Sequence, residues 1–205
     1  MRSLRPLASL CLALFSLLVP PRATEEVVAA LTLDDVERLR AENGLPYRDS
    51  QVRALIWELK YNKNPRALAL AGEFLAEGLL GIAEEELGRP LLVPVPMHPA
   101  RRRERGHNQT EALCEAALAF AGDALQYAPR ALARTKHTPP QQGLPRRKRL
   151  ENLIGSMEAD EKAVRGRACI VVDDVSTTGA TLAEARRALK QAGAKRVHTL
   201  ALAGS

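Results

Sequence analysis

The chain has 205 residues, and 46% of them are hydrophobic, enough apolar material for one sizeable core with room for a small appendage. Three cysteines, Cys11, Cys114 and Cys169, are odd in number and lack ligand-like spacing, which argues against a disulfide framework and a cysteine-rich metal site. The net charge of +6 suits a polyanionic small molecule or a nucleic acid, while 3% aromatic content counts against a surface that stacks single-stranded bases.

At the N-terminus, Arg2 and Arg5 precede an apolar stretch from Leu7 to Val19. At about 13 residues it is short for a membrane span. It imitates a secretory signal, but Pro20-Pro21-Arg22 follows without a small-x-small cleavage site. Two readings stay open for it: a short buried or surface-docked helix, and a signal or anchor. Thr32 is placed to cap a helix starting near Leu33, with Asp35 as the capping-box acid. Asn43-Gly44-Leu45-Pro46 then ends that helix and marks a boundary between an N-terminal extension, 1–46, and a main domain, 47–205.

From Tyr47 onward helices and strands alternate. Val52, Leu55, Ile56 and Leu59 recur with helical spacing, and Asn62 to Pro65 breaks the run. Ala67 to Leu80 is a second helix. Leu91 to Val95 is a short strand closed by prolines at 94, 96 and 99, whose missing donors end sheet pairing. Four arginines then fall within five positions, Arg101 to Arg105, a dense cationic surface suited to a diphosphate. The same residues also fit a solvated basic rim or a phosphate-tracking nucleic-acid surface. Asn108 to Ala121 is helical. Thr135 to Arg149, rich in proline and cations, is long for a connection inside a domain and reads either as a functional loop or as a basic connector. Strands separated by helices predict an α/β fold with a mainly parallel sheet.

The densest chemistry lies in Ile170-Val171-Val172-Asp173-Asp174-Val175-Ser176-Thr177-Thr178-Gly179-Ala180-Thr181. Ala168 to Val172 reads as a buried strand, and Leu182 to Gln191 has helical spacing. The turn between them gathers hydroxyls, backbone N–H groups and a helix N-terminus around one point, the arrangement that cradles a phosphate. The paired carboxylates sit where ligands bind in open α/β sheets and suit sugar hydroxyls. A strand, turn and capped helix without a ligand is the plainer reading. Val197 to Ala203 is the last strand.

This run resembles the phosphoribosyl-diphosphate (PRPP) motif of type I phosphoribosyltransferases. Three further segments narrow the resemblance: Leu59-Lys60-Tyr61; Val93 to Pro99 with Arg101 to Gln109; and Arg134 to Leu144 continuing through Arg149 and Asn152. In this order they resemble the ComF family, which includes competence-associated and GntX-like proteins, over residues 47–204. The resemblance implies a type I phosphoribosyltransferase-like fold, a mainly parallel central sheet flanked by helices. It also implies displacement of diphosphate from PRPP, with Mg²⁺ carried by PRPP, in the cytoplasm. Asp173 and Asp174 would hold the ribose, and Ser176, Thr177, Thr178, Gly179, Ala180 and Thr181 the 5′-phosphate. Lys60, Arg101, Arg103 and Arg105 would hold diphosphate. Lys136 joins the two aspartates as a catalytic candidate, and Gln141 and Arg149 lie in the covering loop. Many family members carry an N-terminal zinc ribbon. The corresponding region here has only Cys11, so no zinc is expected. The acceptor has no recognisable signature. The rival expectation is a non-catalytic DNA-uptake accessory that binds PRPP, single-stranded DNA or competence proteins. No membrane partner is expected, and the oligomeric state is open.

Overall fold

The computed structural model describes residues 23–136 and 153–204. It begins with two short helices, α1 (Thr24–Ala30) and α2 (Leu33–Arg38), then a two-residue strand β1 (Leu45–Pro46). Helix α3 (Ser50–Trp57) runs directly into a π turn (Glu58–Asn62), followed by α4 (Pro65–Glu84), β2 (Leu91–Pro94), α5 (Pro99–Arg105) and α6 (Gln109–Ala121). The remainder comprises β3 (Gln126–Tyr127), β4 (Leu132–Arg134), β5 (Met157–Ala159), α7 (Glu161–Val164), β6 (Ala168–Ser176), α8 (Ala180–Gln191) and β7 (Arg196–Gly204).

Five strands form one parallel sheet in the order β1-β7-β6-β2-β3, while β4 and β5 pair as a separate antiparallel hairpin. The α/β expectation therefore holds, with a parallel sheet flanked by helices. Alternation along the strands assigns the two faces, because successive side chains point to opposite sides. Leu92, Ile170, Val172 and Leu202 pack into a cluster with α1, α2, α3, α4 and α6. Leu91, Val93, Cys169 and Val171 point the other way, into a cluster with α8 and the β4–β5 hairpin. The central strand β6 is apolar on both faces because both are covered.

Local signals account for most of the element boundaries. Thr32 Oγ1 accepts from Asp35 N, and Asp35 Oδ2 accepts from Thr32 N at 3.0 Å, completing the expected capping box. Asp49 caps α3 by accepting from Gln51 N and Val52 N. Asn64 caps α4, with Pro65 in the first turn, where its missing N–H costs nothing. The expected turn at Asn43–Pro46 is a turn that continues into pairing, with Leu45 and Pro46 in register with Ala203 and Gly204. Val28, Leu31 and Val36 from the N-terminal helices share the cluster of α3 and α4. The Leu7–Val19 stretch lies outside the described residues. Among those described, no helix is long and apolar enough to cross a membrane.

Two differences bear on the site. The strand expected to end at Val172 continues to Ser176, because β7 pairs it through Ser176↔Gly204. The arginine cluster, read from the sequence only as a cationic surface, is the helix α5, started by Pro99, capped by His98 Nδ1 accepting from Ala100 N, and stopped by Gly106 at φ 75°.

Close packing of α4 on α6 depends on Gly72. A Cβ there would lie 2.7 Å from Ala116 Cβ. Overpacking of this kind costs about 1–3 kcal/mol, and in a domain this size each kcal/mol shifts the melting midpoint by about 2–4 °C. Gly72→Val is therefore expected to lower the midpoint by roughly 4–8 °C. Gly81→Ala, on the same helix with open space around it, is expected to raise it by about 2 °C through helix propensity. Calorimetric melts of both variants check the packing; shifts of the same sign would contradict it.

Candidate functional site

The site forms at the C-terminal end of β6, where the sheet's neighbours thin out and helices begin. Asp173 and Asp174 are both buried, at 8% and 6% exposure. Each carboxylate accepts from the N–H of the residue that follows it: Asp173 Oδ1 from Asp174 N at 2.9 Å, and Asp174 Oδ1 from Val175 N at 2.7 Å. The other oxygen of Asp174 takes two side chains from different elements. Lys60 Nζ, on the π turn, lies 3.2 Å from Oδ2, and Gln109 Nε2, at the start of α6, donates to it at 3.1 Å.

This environment drives the two acids apart. Burial, reinforced by the neighbouring Asp174 charge, pushes the Asp173 carboxyl well above the usual carboxylate range. Burial acts on Asp174 too, but Lys60 and the Gln109 hydrogen bond overcome it and hold that carboxyl low. Lys60 in turn is held charged above its ordinary range: burial opposes this, and Asp174 and Tyr47 outweigh it. Without ligand, the site is therefore a protonated Asp173 beside an ionised Asp174–Lys60 pair.

Downstream, Ser176 ends β6, and Thr177 and Thr178 lead into Gly179 at φ 72°, a conformation that L side chains rarely adopt. Gly179 occupies the cap position of α8 and supplies no side-chain cap. Thr178 Oγ1 accepts a long bond from Ala180 N, 3.4 Å. The turn residues expected to hold a phosphate, Ser176 to Thr181, thus surround the start of a 12-residue helix, whose dipole favours an anion.

The cations divide. Arg105 reaches the acid pair through Gln109, whose Oε1 it contacts at 3.5 Å, and its guanidinium lies 5.2 Å over the Tyr61 ring. Tyr61 packs on Trp57 at 4.3 Å. Arg101 and Arg103 are exposed on α5. Arg102 is drawn away into a two-bond pair with Glu111. Lys136 follows β4, its N–H on Ser156 O at 3.5 Å and its ammonium beside Gly155. Gln141 and Arg149 lie outside the described residues. Among those described, no group of three or more His, Cys, Asp or Glu side chains is arranged to hold a metal ion.

Two residues emerge that were not singled out from the sequence. Gln109 bridges Asp174 and Arg105. Arg134, on β4, has a buried Nε without a hydrogen-bond partner among the described residues. Burial holds this guanidinium below its ordinary range; Arg101 adds to the effect and Asp173 counters it. Both lie within the segments quoted above, but only the fold, by bringing them toward the acid pair, gives them chemistry.

A buried acid pair for a diol, an anion-attracting helix start and a rim of arginines together suit a phosphorylated sugar. The family model for the phosphoribosyl transferase domain matches residues 117–205. The DNA utilization protein YhgH of Escherichia coli (strain K12) is 35% identical over 150 residues, covering 72% of this chain and 65% of that protein. Competence protein F of Haemophilus influenzae is 31% identical over 114 residues, covering 55% and 49%. The match thus spans less than two thirds of the length of the first of these and about half of the second. Among solved structures, hypoxanthine phosphoribosyl transferase of Trypanosoma cruzi overlaps 67% of this chain and 73% of its own, at 12% identity and a TM-score of 0.44. The ordered motifs and the parallel sheet agree with the sequence likenesses: over residues 117–205 the chain carries a phosphoribosyl transferase domain, and it is homologous to the DNA utilization protein YhgH and to competence protein F.

Proposed function

We propose that this chain binds PRPP and displaces its diphosphate in favour of an acceptor. The observation that carries the reading is the Asp173–Asp174–Lys60–Gln109 cluster, set immediately before an α8 start that lacks a side-chain cap. In this reading Asp173 and Asp174 accept hydrogen bonds from the 2′- and 3′-hydroxyls, and the 176–181 turn takes the 5′-phosphate. Arg101, Arg103 and Arg105 meet the diphosphate, with Arg134 as a further donor and Lys60 bridging from the acid pair. Lys136 stands at the base of the segment that would cover the ligand. The C1–oxygen bond breaks with its electron pair passing to diphosphate, the acceptor's lone pair forms the new bond at C1, and the acceptor's proton leaves to solvent. Mg²⁺ would enter with PRPP, carried on the substrate's own oxygens, and would neutralise charge on the departing diphosphate. The chemistry belongs to nucleotide metabolism in the cytoplasm.

Calorimetric titration with PRPP and Mg²⁺ tests the reading, and the fluorescence of Trp57, the chain's single tryptophan, offers a local reporter against Tyr61. Micromolar binding is the expected result; a folded protein with no affinity would overturn it. Arg103→Ala is expected to weaken PRPP by about tenfold, the scale of one charge-assisted hydrogen bond, while leaving ribose 5-phosphate within about twofold. Equal losses for both ligands would reduce Arg103 to a general electrostatic role.

The names of the relatives favour a second reading, in which the exposed arginines of α5 bind the phosphates of single-stranded DNA and the fold serves as an accessory. Such binding would weaken steeply with salt. No binding to an oligonucleotide even at low salt would remove it.

A further inference from the structure

Glu58 opens the π turn and is 1% exposed. Its carboxylate accepts from three side chains: Thr24 Oγ1 at 2.5 Å, Asn62 Nδ2 at 2.8 Å and Asn64 Nδ2 at 3.1 Å. Its backbone carbonyl accepts from Lys63 N, the i→i+5 bond that makes the turn a π turn, and from Asn64 N at 3.4 Å. Among the described residues its side-chain partners are all neutral donors. A carboxylate buried with neutral donors alone is an expensive way to stabilise a turn, since burying a charge is compensated best by an opposite charge. The arrangement does, however, fix geometry. The acid reaches both ends of the five-residue turn and ties it to the first residue of α1.

The two residues inside that clamp that face the site are Lys60 and Tyr61. Lys60 meets Asp174 at 3.2 Å, and Tyr61 meets Arg105. Consecutive residues of an α-helix are about 100° apart around the axis, so rewinding the turn as α-helix would swing both side chains off the face they occupy. Single π turns in helices are frequent at functional sites.

We propose that Glu58 is a positioning residue, whose buried carboxylate holds the π turn at the pitch that sets Lys60 against Asp174, with Thr24 as the anchor of that lock in α1. The role holds whatever ligand the site takes. Its consequence is that α1, which does not carry any of the acid-pair contacts described above, helps to shape the site.

Asp174 reports directly on the lock. The groups facing its carboxylate are Lys60, Gln109 and Asp173, with Tyr47 within electrostatic reach. The experiment is a pH titration of the Asp174 side-chain carbon by NMR in aspartate-labelled protein without ligand. Lys60→Met is expected to raise the Asp174 midpoint by removing the cation that holds it low. Glu58→Ala is expected to raise it in the same direction, and the double variant no further than Lys60→Met alone. Glu58→Gln, which keeps the shape and one acceptor oxygen, should restore part of the shift. A folded Glu58→Ala protein with an unmoved midpoint, or shifts that add in the double variant, would overturn the proposal. If Glu58→Ala does not fold, Thr24→Val removes one donor and is expected to produce a smaller shift of the same sign; no shift overturns the proposal equally. A wild type that fails to bind PRPP would leave these titrations unchanged, so the two ideas fail separately.

Discussion

The variant Asp173→Asn/Asp174→Asn is expected to lose PRPP binding by a factor of about 100 or more while keeping its fold. Hydrogen bonds to a charged acceptor contribute about 1.5–3 kcal/mol each, and about 1.4 kcal/mol is a tenfold change in affinity. Two carboxylates accepting from the ribose diol therefore account for a loss of at least that size. The sign of the effect separates this from a general electrostatic explanation. Removing Asp174 leaves Lys60 without its 3.2 Å partner, so the ligand-free site becomes more positive. A polyanion held by charge alone would bind the variant more tightly. A loss of affinity in a more cationic site can come only from the lost acceptors. Folding survives because Asp173→Asn removes a buried acid that costs the native state, although Lys60, partly exposed at 21%, must turn toward water. Titration calorimetry gives the affinity and circular dichroism the fold. Affinity equal to or above that of the wild type would sink the assignment of the acid pair to ribose.

The sequence carried the centre of this site more fully than its rim, for physical reasons. Residues 170–181 are contiguous, and each step has a local cause: β-branched residues buried on both faces, a hydroxyl-rich turn, a glycine at positive φ, an amphipathic helix. The cap of α2 and the helical periods of α3 and α4 were legible on the same terms. What stayed hidden depends on distant partners. Strand β1 has two residues and exists only because β7 offers an edge. Residues 132–134 and 157–159 form a hairpin across a long gap, a pairing no local period announces. The length of β6 beyond Val172 is set by β7 rather than by its own composition. The π turn reads as the end of an ordinary helix, because nothing in Glu58-Leu59-Lys60-Tyr61-Asn62 distinguishes five-residue from four-residue winding. The sequence offers Lys60 as a cation without a partner; the fold puts its Nζ 3.2 Å from Asp174 Oδ2. Gln109 and Arg134 are polar residues like many others until the fold carries one to Asp174 and leaves the Nε of the other unpaired among the described residues.

A second expected result concerns the protein without ligand. Asp173 is held protonated by burial first and by the Asp174 charge second, with its carboxyl raised to about 8. Unfolded, the same group ionises near pH 4. Between these values the native state binds more protons than the unfolded chain, so this group's contribution falls as pH rises through the window and is lost once pH exceeds the native value. The slope reaches about 1.4 kcal/mol per pH unit for one proton, or roughly 3–5 °C of melting midpoint in a domain of this size. Asp173→Asn, which cannot ionise, removes that slope. The variant is therefore expected to melt above the wild type at pH 8, with the gap growing steadily from pH 5 to 7. Other titrating groups are common to both proteins and cancel in the difference. Parallel curves of midpoint against pH would show that Asp173 ionises normally in the native state. The expected divergence means that this acid destabilises the ligand-free fold near neutral pH and is offset only when a ligand supplies hydroxyl donors to the carboxylate. PRPP with Mg²⁺ should then raise the wild-type midpoint and leave that of Asp173→Asn nearly unmoved, so the position that weakens the ligand-free protein is the one through which ligand stabilises it.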